Sequence, residues 1–74
     1  MSRATRPILT ARELDVLRML SLGCGYAQIA VRLGISRHTV TSHIKNAYRK
    51  LGVHTAAAAV FRAMSLGLFR QHRP

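Results

Sequence analysis

Acidic residues are almost missing from this chain. Glu13 and Asp15 stand against twelve lysines and arginines, for a net charge of +10. Chemistry built on opposed carboxylates is thereby excluded, because two residues two apart on one helix do not face each other. Cysteine is scarcer still. Cys24 alone closes no internal disulfide and forms no Cys-x-x-Cys zinc pair, which suits a reducing, cytoplasmic setting. No apolar run approaches the ~20 residues of a membrane span. No signal-peptide core precedes a cleavage site, and no glycine-rich phosphate loop or nucleophile with a matched base is present. The sequence therefore excludes the usual enzyme and membrane classes, and no metal or cofactor is expected.

What remains is apolar and basic. Apolar residues make up 49% of 74 positions, enough for one small domain with a compact core and against general disorder. The surplus of positive charge favours a polyanionic partner, since each phosphate neutralised releases a counterion. Charge alone would serve a membrane surface or mere solubility equally well.

Residues 1–8 hold Arg3, Arg6 and Pro7 without periodicity, and read as a flexible basic arm or a linker remnant. Order begins at Leu9. Thr10 and Glu13 have the spacing of a capping box, and Leu9 with Leu14 that of a hydrophobic staple. Leu14, Leu17 and Leu20, with Val16, form the inner face of a first helix that Gly23 stops. A second helix spans about Tyr26 to Leu33 behind Gly25, a weaker cap, with small Ala30 where a crossing helix comes close. The turn Gly34-Ile35-Ser36 follows, and Ser36 caps a third helix from about Arg37 to Leu51. Thr55 caps a fourth helix that runs to about Leu66, before Gly67. Residues 70–74 are a tail. Four helices with short connections predict an all-α, compact four-helix domain containing a helix-turn-helix.

The third helix carries the functional signal. Val40, Ile44, Ala47 and Leu51 fall within about a 60° arc, one buried stripe. Thr41, Ser42, Lys45 and Arg49, with His38, occupy a different arc. A basic, hydrogen-bonding outer face after a tight glycine-containing turn is what a helix-turn-helix presents to the major groove. A charge run is more often an ordinary solvated face, and its place after this turn favours DNA. The fourth helix predicts Ala57, Val60, Phe61 and Met64 facing inward. Ala56, Ala59, Ala63 and Leu66 are left as a second face on which a partner helix approaches closely.

These residues resemble the LuxR-type (GerE-type) helix-turn-helix domains of bacterial transcription regulators. The pieces run from Leu9-Thr10 with Glu13, through Val16-Leu17, Gly23 and Ile29-Ala30, to Leu33-Gly34-Ile35-Ser36. They continue with Thr39-Val40, His43-Ile44, Lys50-Leu51-Gly52-Val53, Ala57 and Gly67-Leu68, so that residues 9–69 form the domain. The resemblance implies that helix three reads bases through Thr41, Ser42 and Lys45, and that helix four pairs two copies. Lys45 has the reach for guanine O6/N7 or a phosphate, whereas Thr41 and Ser42 pair with several base edges. Tyr26, Ser36, Arg37, His38, Thr39 and Arg49 are the expected backbone contacts; Thr39 lies near the helix N-terminus, where backbone amides favour phosphate. Many relatives carry Lys where Thr41 stands, and Gly25-Tyr26-Ala27-Gln28 replaces their usual Ser-Asn-Lys-Glu, which alters the target sequence expected. His43 is structural or phosphate-contacting rather than a metal ligand, as no further donor converges on His38 and His43. Cys24 is a small passive residue.

The expectation is a sequence-specific regulator of double-stranded DNA, a homodimer reading half-sites about one DNA turn apart. An RNA polymerase contact and a cytoplasmic location, nucleoid-associated when bound, accompany it. A nonspecific architectural or RNA-binding role and a protein-interaction module on the same fold are the rivals. The chain suits a stand-alone regulator and a piece of a larger receiver or ligand-binding protein equally.

Overall fold

Helix starts in this domain are set by side chains that reach the first free amides. A computed structural model describes residues 9–69; the arm expected over residues 1–8 and the tail over 70–74 lie outside them. Helix α1 spans Ala11–Ser21, α2 Tyr26–Leu33, α3 Arg37–Leu51 and α4 Ala56–Ser65, with no strand among the described residues. Thr10 Oγ1 accepts from the Glu13 N–H at 3.0 Å, and Glu13 Oε1 accepts from the Thr10 N–H at 2.9 Å. The capping box read from the sequence is thus closed on both sides. Ser36 and Thr55 accept from the N–H groups of Thr39 and Ala58 and start α3 and α4 in the same way. Gly25 has no side chain to offer. Gln28 compensates by reaching back, its Oε1 accepting from the Gly25 N–H at 2.9 Å.

The turn between α2 and α3 depends on Gly34, which adopts φ +69°. No neighbouring atom lies within 4 Å of where a Cβ would sit, so conformation and not space demands glycine. A left-handed backbone costs other residues about 1–2 kcal/mol.

The core has two parts, and α3 runs through both. Val16, Ile29, Ala30, Val40 and Ile44 join α1 and α2 to the front of α3. Leu9, Leu17, Ala47, Leu51, Ala59 and Ala63 join α1 and α4 to its rear. Leu20 and Tyr48 pack against both clusters. The stripe Val40, Ile44, Ala47 and Leu51 is buried as its periodicity predicts.

Helix α4 lies with the opposite face inward from the one expected. Ala59 and Ala63 are fully buried, whereas Phe61 and Met64 are 71% and 61% exposed. Ala57 is exposed and Val60 half-buried. The cause is distance. Helix α4 packs on α1 and α3 together, and alanine at the contact lets the backbones close to where the surrounding leucines fill the space. Ala59 and Ala63 are therefore core residues and not members of a dimer surface. Ala56 and Leu66 are half-buried, and Leu66 packs against the core.

Glu13 does more than cap. It is 3% exposed, and its Oε1 accepts from Lys50 Nζ at 2.9 Å, tying the start of α1 to the end of α3. Burial pushes its carboxyl upward, but the Thr10 N–H and the Lys50 ammonium outweigh that and hold it below the ordinary 4.5. Asp15 instead pairs at the surface with Arg12 and Arg18, at 3.5 and 3.6 Å, contacts worth little each.

Candidate nucleic-acid interface

With its inner stripe fixed by both halves of the core, α3 presents a defined outer face. Arg37, His38, Ser42, Lys45 and Arg49 are exposed there, and Thr39 and Thr41 are half-buried. Both acidic residues belong to α1 and are already engaged, Glu13 by Lys50 and Asp15 by two arginines. No carboxylate lies on α3, so Arg37, Lys45 and Arg49 face solvent uncompensated by their own helix, while Lys50 turns to Glu13. That is the charge distribution a polyanion selects.

Hydroxyl groups on this face are partly committed. Ser36 Oγ shares a hydrogen bond with Thr39 Oγ1 at 2.9 Å while it caps α3, placing two hydroxyls at the positive end of the helix. Thr41 Oγ1 donates to the Arg37 carbonyl at 3.1 Å, one turn back. This bond leaves the Thr41 hydroxyl free to accept but not to donate.

Tyr26 opens α2 and is 37% exposed. Its hydroxyl lies beside that of Tyr48. Burial, and then the Tyr26 neighbour, push the Tyr48 phenol above its ordinary 10.0. His43 is half-buried at the edge of the apolar stripe. Among the described residues, no group of three or more His, Cys, Asp or Glu side chains comes together to hold a metal.

One residue on this face is not in the sequence-derived set. Asn46 is exposed, and its Oδ1 accepts from Arg49 Nη2 at 3.1 Å. Ser42, Lys45, Asn46 and Arg49 share an arc of about 100°, so the helical wheel was signal enough to include it. Selection by charge and hydroxyl groups passes over a neutral amide.

The GerE model, which describes bacterial regulatory proteins of the luxR family, matches residues 7–63. This chain belongs to that family. The luxR family is one of regulators and not of enzymes. The chain is 49% identical over 65 residues to the probable transcriptional regulatory protein SgaR of Hyphomicrobium methylovorum, covering 88% of this chain and 30% of that one. It is 47% identical over 66 residues to the nitrate/nitrite response regulator protein NarP of Escherichia coli, covering 89% and 28%. The solved structure of the transcription factor GerE superposes with a TM-score of 0.76 at 36% identity, covering 80% of this chain and 88% of that one. This chain therefore matches almost all of GerE, whereas it spans less than a third of SgaR and NarP.

Proposed function

We propose that this chain is a sequence-specific, double-stranded-DNA-binding transcription regulator that inserts α3 into the major groove. The carrying observation is the outer face of α3, where Lys45 and Arg49 stand exposed with hydroxyl and amide groups and no carboxylate, on a helix held rigidly from beneath. Thr41, Ser42 and Lys45 contact bases. Tyr26, Ser36, Arg37, His38, Thr39 and Arg49 contact the phosphate backbone, with the α3 N-terminus adding its dipole. Membership of the luxR family supports this reading, as do relatives named as transcriptional regulators. An RNA polymerase contact and a cytoplasmic, nucleoid-associated location belong to the same reading. No helix of the described residues is long and apolar enough to cross a membrane.

Selection of bound duplexes from a random pool, repeated across salt concentrations, tests it. A single enriched motif is expected, with log K falling by ~0.9 per phosphate contact against log salt. A flat salt dependence, or a pool that stays random, overturns the assignment.

The regulator acts as a homodimer through the exposed face of α4. Ala57, Val60, Phe61 and Met64 border a groove of about 370 Å³ with Leu20 and Ser21 of α1. One face thus supplies both projecting side chains and a recess to receive them, as a two-fold contact requires. Phe61→Glu is expected to give a monomer in sedimentation and to weaken binding to a two-half-site duplex, with helical content unchanged. A dimer that persists in Phe61→Glu places the contact elsewhere.

A further inference from the structure

The bond between Asn46 and Arg49 has a consequence for which base can lie opposite Asn46. A guanidinium carries only donors, so the carboxamide atom facing Arg49 Nη2 at 3.1 Å is the oxygen. An unengaged asparagine pairs with adenine edge-on, accepting from N6 through Oδ1 while donating to N7 through Nδ2. That geometry needs both atoms side by side in the plane of the base. Oδ1 has two lone pairs; the Arg49 bond occupies one and ties the amide plane to the guanidinium, so the amide N–H₂ is the fully free group toward the groove. Both side chains are exposed and lie on the arc shared with Ser42 and Lys45. Glu13 and Asp15, the only carboxylates among the described side chains, are bound to Lys50, Arg12 and Arg18, and neither competes for Arg49.

We propose that Asn46 is a specificity-determining residue that Arg49 holds in a donor orientation, so that it selects an acceptor edge, guanine O6/N7 or thymine O4, over adenine. The inference rests on the DNA-binding reading and adds a position to it. Arg49 then has two roles: its remaining N–H groups hold phosphate, and one N–H sets the amide beside it.

The test is random-pool duplex selection on the full chain, Asn46→Ala and Arg49→Met, each checked for helical content. Wild type is expected to prefer G or T at one position per half-site. Asn46→Ala should flatten that preference by roughly tenfold and leave the other positions as they are. Arg49→Met frees Oδ1, and the preference at the same position should move toward adenine while overall affinity falls. Three outcomes overturn the assignment with DNA binding intact: adenine preferred there by wild type, an unchanged profile in Asn46→Ala, or a uniform loss without a shift in Arg49→Met. A pool left random by wild type overturns the DNA-binding reading itself, and this inference with it.

Discussion

Glu13→Ala is expected to lower the unfolding free energy by about 2–3 kcal/mol, a fall in Tm of roughly 10–20 °C for a domain of this size. The substitution removes the acceptor of the Thr10 N–H and of Lys50 Nζ in one step. Losing one partner of a fully buried ion pair costs about 3–5 kcal/mol. Here the Lys50 side chain is 29% exposed, so the stranded ammonium rehydrates and the lower figure applies. Asp15→Ala, which removes only exposed pairs, should stay within about 0.5 kcal/mol of wild type. The same site gives an acid limb. Because the folded carboxyl sits below the ordinary 4.5, its contribution is complete above that value and is lost as the pH falls through the lower folded one. Thermal unfolding of both variants between neutral and acid pH checks this. Equal costs for Glu13→Ala and Asp15→Ala, or a Glu13→Ala curve as steep in acid as wild type, contradict it.

Lys45→Ala is expected to cost about 1–3 kcal/mol on the preferred duplex and to relax discrimination at one position. Its ammonium is exposed in the middle of the α3 face, between Ser42 and Arg49, with no carboxylate on that helix to hold it back. Arg12→Ala removes the same charge from α1, away from that face, and should change binding much less. Titration of specific and random duplexes separates the two ways Lys45 acts. An equal loss on both assigns it to phosphate, and the reading of bases then rests on Ser42, Thr41 and the amide of Asn46.

The parts of the fold legible in the sequence are those decided within one or two turns of chain. Thr10 with Glu13, Ser36, Gly34 and Thr55 mark helix ends through bonds to residues three or four away, and the helices begin where they say. The buried stripe of α3 is equally local, being a matter of period alone. The orientation of α4 is not local. An alanine is compatible with surface and core alike, and a large apolar side chain is compatible with a core or a contact, so periodicity identifies two faces without saying which turns inward. Close approach to α1 and α3 decides it in favour of Ala59 and Ala63. The Glu13–Lys50 bond joins residues 37 apart in sequence, beyond any pattern that capping chemistry supplies. At the interface, composition points to the cations and hydroxyls, but the internal bonds of Thr41 and Asn46 depend on rotamers that a helical wheel leaves open.

The division of the core makes α3 a beam on two supports. Its front rests through Val40 and Ile44 on α1 and α2, its rear through Ala47 and Leu51 on α1 and α4. On the proposed reading, a cavity opened beneath the front lets the N-terminal turns of α3 pivot while the rear stays clamped, and sequence discrimination is expected to fall before DNA affinity does. On the same reading, a cavity beneath the rear tilts α4 while the front keeps its seat, and the expected loss is in binding to two half-sites and not in recognition of one. If the proposed reading holds, blurred recognition and lost phasing are separable lesions of α3.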